Sequence, residues 1–305
     1  MPLSSFIRDL TRRRLLMASG AGFLLAWAKQ PSQLAVEAYI FQQYAAREKK
    51  PLGDVLDEVI PMARNAGFRH IELNQEFFTP PLRNHVLRLL RANGLTMPSV
   101  YVGGPMHDPA LAESTIDRAL EIAAICKPFG CAAVVHNPAP KPQGERKGDQ
   151  ELRVEVESLN RMGWKLARSG FQLRVHHHTP EMLENAREWR YILRNTDPQN
   201  VALCMDLDWV HQGDQDPMAL LREAGSRVAE LHLRNSRHKL WLESLEYGDI
   251  DYTKVAAYLG DAALTPLLVV ELAYRENTVI TRPLLDDLRF SRIYAEQTFG
   301  VSAAA

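Results

Sequence analysis

Four strand-like runs in the second half of the chain end in residue types that bind metals or move protons. Phe171-Gln172-Leu173-Arg174-Val175 is closed by His176, His177 and His178. Leu203-Cys204-Met205 ends in Asp206, Glu230-Leu231-His232-Leu233 carries His232, and Leu268-Val269-Val270 ends in Glu271. A carboxylate inside an apolar run is costly without a counter-charge. A divalent cation shared by Asp206 and Glu271 would supply one to both, with His232 as a nitrogen ligand from the strand between. Mixed oxygen and nitrogen ligation suits Mn²⁺, Zn²⁺, Fe²⁺ or Co²⁺ better than Ca²⁺. Each residue alone has an ordinary alternative: an exposed loop for the histidines, a salt bridge for Glu271, a helix cap for Asp206, a hydrogen-bonded core histidine for His232. Four successive strand ends of this kind favour the metal. Alternation along a strand places His176 and His178 on one face and His177 on the other. Thr179-Pro180-Glu181 then reads as a helix start, with Thr179 as N-cap.

The elements that must position these residues alternate regularly. Strand-like runs at 35–40, 69–73, 97–102, 132–136, 171–175, 201–206, 228–233 and 266–272 are separated by stretches of helical period. The helices span about 52–65, 80–93, 109–127, 149–169, 179–194, 217–224, 252–259 and 282–299, several of them followed by glycine in the manner of a C-terminal stop. Near-continuous apolar strands each followed by a helix call for a parallel sheet covered by helices. Eight such units fit a single (β/α)8 barrel better than an open doubly wound sheet, and no glycine-rich phosphate loop follows the first strand. In such a barrel the chemistry sits where strands end. Glu72 on the second strand, His107 after the third and His136 at the end of the fourth are further candidates, as are Trp209 after Asp206 and Arg234 after His232.

The 305 residues are 46% apolar and 24% charged, and 36 Lys plus Arg nearly cancel 37 Asp plus Glu. That balance offers no basic face for nucleic acid. Cys126, Cys131 and Cys204 are too few for a disulfide framework and read as buried apolar residues. At the N-terminus, Thr11-Arg12-Arg13-Arg14-Leu15-Leu16-Met17 opens an uncharged stretch that ends in Ala26-Trp27-Ala28. This resembles a twin-arginine export signal, and the apolar stretch is short of the roughly 20 residues a bilayer span needs. Residues 1–28 are therefore set apart as a signal and 29–305 as the barrel. The expectation is an exported, periplasmic protein with no stable membrane anchor once the signal is removed.

The barrel resembles the sugar phosphate isomerase/epimerase family, the xylose isomerase-like TIM barrels. The match runs from the first strand to Glu271. It rests on the histidine strand, Cys204-Met205-Asp206-Leu207-Asp208-Trp209, Leu231-His232-Leu233, Gly248-Asp249-Ile250-Asp251-Tyr252 and Val269-Val270-Glu271. The resemblance implies a divalent metal, manganese first and zinc, cobalt or iron as alternatives, held by Glu, Asp, His and Glu from strands five to eight. The last three fall on Asp206, His232 and Glu271, and the first falls on His176. This chain therefore departs from relatives that move a proton between two metal-bound glutamates, because a histidine replaces one of them. Glu271, His176 and His178 are the implied proton movers, and Glu72, His107, His136, Trp209 and Arg234 the implied substrate contacts. The implied activity is isomerisation or epimerisation of a carbohydrate or keto-sugar by proton abstraction next to a metal-bound oxygen. The alternative is a lyase or hydratase acting on 3-keto-glycosides or inososes through the same site. A metal-dependent endonuclease fits poorly with the neutral charge and the export signal, and a non-catalytic sugar binder is the other competing reading. The expected partner is a small carbohydrate, not nucleic acid, and a homo-oligomer is compatible with the fold.

Overall fold

The computed structural model describes residues 33–303 apart from residue 277. The signal assigned to residues 1–28 lies outside the described residues. None of the described helices is long and apolar enough to cross a membrane.

Eight parallel strands close into a barrel: β1 (Leu34–Glu37), β2 (His70–Asn74), β3 (Ser99–Tyr101), β4 (Ala133–His136), β5 (Gln172–Val175), β6 (Val201–Asp206), β7 (Val228–Leu233) and, after a small hairpin, β10 (Leu267–Val270). The hairpin, β8 (Ser236–Arg237) with β9 (Leu240–Trp241), rises from the loop after β7. Sequence periodicity did not reveal it. Helices α1 (Tyr39–Arg47), α2 (Leu52–Asn65), α3 (Pro80–Ala92), α4 (Pro109–Cys126), α5 (Asp149–Arg168), α6 (Thr179–Asn195), α7 (Leu207–Gln212), α8 (Pro217–Ala224), α9 (Tyr252–Asp261) and α10 (Leu284–Phe299) complete the fold. The first strand is shorter than its apolar run predicts: it stops at Glu37, and Tyr39 already begins α1. That difference moves Glu37 from mid-strand to the barrel mouth.

Strand alternation divides the core. Leu34, Val36, Leu268 and Val270 face outward into the large apolar layer beneath the helices, while Ala35, Leu267 and Val269 form a separate small cluster inside the barrel. Above that cluster the barrel interior is polar. Ser99 Oγ donates to Glu72 and, at 3.1 Å, to Glu230 Oε1; Arg174 Nη1 donates to Glu230 Oε2 at 2.6 Å. All three cysteines are buried and unpaired in disulfides, as their apolar surroundings suggest.

Helix α6 starts one residue earlier than expected, with His178 rather than Thr179 in the N-cap position. Glu181 Oε2 reaches back to accept the His178 backbone N–H at 2.7 Å, which satisfies a donor the helix itself leaves open. The first turn of α6 is set off from its remainder by Glu184, Asn185 and Ala186, with φ of 52°, 59° and 55°. Left-handed backbone costs about 1–2 kcal/mol per non-glycine residue. The break frees the first turn, with Thr179 and Pro180, to lean over the barrel mouth.

Candidate active site

A cavity of about 430 Å³ opens at the C-terminal end of the barrel. Glu37, Tyr101, His178, Trp209, Arg234 and Glu271 line it, together with Asn74 and Trp241. Its floor is organised by Arg234, 1% exposed, which donates through Nη2 to Asp206 Oδ2 at 2.5 Å and through Nη1 to Glu271 Oε1 at 3.1 Å. The guanidinium carbon lies 4.7 Å from the Trp209 ring centre and 4.4 Å from that of Trp241. A planar guanidinium suits this double role of forked donor and stacking partner. Trp241 is held in turn by a 2.8 Å hydrogen bond from Nε1 to Asp208 Oδ2.

Glu271 follows β10 and takes a second contact, His232 Nδ1 at 2.7 Å from Oε2. Burial pushes the Glu271 carboxyl up, but the charge of Arg234 and the hydrogen bond from His232 outweigh it and hold it down at about 2. Asp206, at the end of β6, moves the other way: burial raises it to about 7 even though Arg234 opposes the shift. Its Oδ1 accepts the backbone N–H groups of Asp208 and Trp209 at 2.8 and 3.1 Å and so caps α7.

His232 sits deeper, with Nε2 3.0 Å from Glu72 Oε1. Burial opposes its protonation, while Cys204 and then Glu72 raise its pKa well above the usual histidine value. Burial drives the Cys204 thiol itself strongly toward its neutral form, so we assign the effect on His232 to the carboxylates. The imidazole sits between the carboxylates of Glu271 and Glu72, its Nε2 making no hydrogen bond, and its ligating nitrogen would have to be free of a proton to bind a metal.

The three histidines divide as alternation predicts. His177 turns away, its Nε2 accepting the Asp206 backbone N–H at 3.4 Å. His178 lines the cavity, 4.9 Å from the Trp209 ring centre. His176 lies below it, with Nδ1 3.4 Å from the Tyr101 hydroxyl and Nε2 buried without a hydrogen-bond partner. Burial lowers all three, His178 to about 4, His177 to about 3 and His176 well below its usual value; neighbouring histidines add to it at His176 and His177, while at His178 Glu271 opposes the shift and Arg234 adds to it. They are neutral imidazoles near pH 7.

Among the described residues three groups of donors lie close enough to hold a metal. His176, Asp206 and Glu271 offer ligand atoms that all lie within 4.8 Å of one another, and the unpartnered His176 Nε2 is the free nitrogen such a set needs. His232 does not join this set. It falls instead in two others, with His176 and Cys204 and with Glu72 and Glu230.

Three of the expected substrate contacts lie elsewhere. Glu72 is fully buried under the cavity with Ser99 and His232, because the second strand points it inward but one layer too deep. His136 is buried with Nδ1 2.6 Å from the Val102 carbonyl, and burial lowers it to about 4. His107 is absent from the cavity wall; burial, then the positive Lys147, lowers its pKa. Glu37, Tyr39, Asn74, Tyr101 and Trp241 do reach the wall, and the sequence reading missed them. For Glu37 a signal existed, since it is a carboxylate in an apolar run as Glu271 is.

Comparison with known proteins agrees with this architecture. An inosose dehydratase of Geobacillus kaustophilus is 25% identical over 215 residues, covering 66% of this chain and 69% of the relative. The inosose dehydratase of Salmonella agona is 29% identical over 141 residues, 40% of this chain and 47% of that protein. Among solved structures, D-allulose 3-epimerase from a Methylomonas species, in complex with D-allulose, superposes with a TM-score of 0.68 at 15% identity, covering 88% of this chain and 98% of that one. At that identity the likeness speaks for the fold alone. Residues 60–293 match the xylose isomerase-like TIM barrel family, and the chain belongs to it.

Proposed function

We propose that this protein is a dehydratase of a keto-cyclitol or keto-sugar: it removes the proton from a carbon beside a carbonyl and expels the hydroxyl of the next carbon as water. The reading placed second by sequence comes first here on one observation. Where a two-glutamate epimerase carries its second carboxylate, the end of β5 presents the neutral imidazoles of His176 and His178. A site in which imidazoles at the end of β5 stand where the second glutamate of such a pair would be suits one-way proton removal by Glu271 better than removal and return on opposite faces. The curated relatives named inosose dehydratases support the same class. The basic and apolar N-terminal run supports export, and with it an unphosphorylated substrate.

The cavity walls suit a polyhydroxylated ring. Trp209 and Trp241 offer flat apolar faces, and Tyr39, Gln42 and Asn74 offer hydrogen-bonding groups. Glu271 is ionised near pH 7 and accepts the proton, with neutral His178 beside the same space as the alternative acceptor. Arg234 is a fixed positive charge on the floor, ready without reorganisation for the negative charge that develops on the substrate oxygen. A divalent cation held by His176, Asp206 and Glu271, manganese first, would supply Lewis acidity toward a carbonyl oxygen.

The test is proton NMR of an inosose in D₂O with purified protein, run with and without added Mn²⁺. Deuterium at the carbon beside the carbonyl together with an unsaturated, water-depleted product is the expected result. Exchange with every hydroxyl retained makes the protein an epimerase instead.

A further inference from the structure

Besides Glu271, Glu37 is a buried carboxyl in the cavity wall. It closes β1, where parallel pairing sets Glu37 beside Glu72 of β2, and Val36 beside Val270 of β10, one residue before Glu271. Ala35 lies with Leu267 and Val269 inside the barrel, so alternation points Glu37 inward as well. Its side chain is 2% exposed yet lines the cavity. Oε2 accepts the Tyr39 backbone N–H at 2.6 Å, and Oε1 is buried with no partner.

The contrast with Glu271 is one of counter-charge. Glu271 has Arg234 on one oxygen and His232 on the other. Among the described residues no lysine, arginine or histidine forms an ion pair with Glu37, and two further carboxylates flank it. A buried carboxyl with one oxygen unpartnered and no counter-charge on either is costly to ionise. Two buried carboxyls in one cavity, one with counter-charges on both oxygens and one with none, suit a base and an acid.

We propose that Glu37 is the proton donor to the departing hydroxyl and Glu271 the acceptor of the carbon-bound proton. This rests on the dehydratase reading. Glu271 takes the proton from the carbon beside the carbonyl, and the C–H electron pair becomes the new carbon–carbon double bond. The C–O bond of the neighbouring carbon breaks with its electron pair on oxygen. Glu37 gives its proton to that oxygen and water leaves. The proton on Glu271 then returns to Glu37 through solvent, so the sum is loss of one water with no change of oxidation state.

The full-length protein and its Glu37→Gln and Glu37→Asp variants decide the matter, assayed with an inosose in D₂O and checked by thermal unfolding. Glutamine keeps a polar group in place and has no proton to give. In Glu37→Gln, water loss is expected to fall by at least about 100-fold, with deuterium exchange beside the carbonyl and KM within about threefold of wild type. Glu37→Asp is expected to recover part of the water loss. Elimination by Glu37→Gln within about threefold of wild type overturns the assignment while the dehydratase reading stands. Exchange and elimination falling together in both variants also overturns it, because Glu37 is then only a structural part. If wild type exchanges without losing water, the dehydratase reading falls and the donor role with it.

Discussion

Arg234 and Lys147 are both buried cations shared among carboxylates, and they do different work. Arg234 joins Asp206 of β6 to Glu271 beyond β10 and stacks against two tryptophans on the floor of an open cavity. Lys147 ends the long loop after β4, with Nζ 2.5 Å from Glu155 Oε2 on α5 and 2.7 Å from Glu188 Oε1 on α6. Arg187 adds hydrogen bonds to the Lys147 carbonyl at 2.9 Å and to Asp149 at 2.6 Å. The lysine cluster is a clamp that fixes a loop between two helices. The arginine cluster holds Glu271 in the wall of an open cavity. Burial imposes the same demand for neutralisation on both, so buried charge alone does not mark an active site. The wall the charge shares with a cavity does.

The comparison breaks most visibly if the two cations are removed. Lys147→Met leaves Glu155 buried beside Glu188 without a counter-charge, and loss of one partner from a buried pair costs about 3–5 kcal/mol. A large drop in Tm is expected, with kcat close to wild type at temperatures where the variant is folded. Arg234→Met should instead lower kcat by about 10²–10³-fold under those conditions, because the fixed charge beside the reacting centre is gone. Measuring Tm and kcat for both variants decides it. Equal losses of kcat would erase the distinction.

Glu181 links the two regions and gives a smaller effect. It lies between them, capping the His178 N–H and raised to about 8 by burial and then by Glu188. An unfolded glutamate titrates near about 4.3. The native state therefore binds more protons between about pH 4.3 and about pH 8, and its stability falls as pH rises through that window. Glu181→Gln keeps a carbonyl oxygen for the cap and loses this titration. Relative to wild type, its Tm should improve from about pH 5 to about pH 8. A pH-independent difference would show that Glu181 is ionised in the folded protein.

Much of the site was legible because costly residues stand out locally. Asp206, His232 and Glu271 each interrupt an apolar run, and alternation sorted His177 from His176 and His178. What was not legible depends on depth and register. Glu72 points inward as its strand predicts, yet it lies a layer below the cavity, which only the stagger of the closed barrel sets. Arg234 can bridge Asp206 and Glu271 only because β7 lies between β6 and β10. Glu37 was hidden by an apolar run that continues into α1, so a strand end looked like a strand middle. Trp241 stands on a hairpin of two-residue strands, too short to leave a periodic signal.

The most direct test of the central claim is a crystal structure of the Glu271→Gln protein with an inosose bound. The ring is expected in the cavity against Trp209 and Trp241, with the carbon beside the carbonyl facing position 271 and the hydroxyl of the next carbon within hydrogen-bonding reach of Glu37. A ring seated away from Glu37 and position 271, for instance in the groove lined by Lys147 and Glu188, would contradict it.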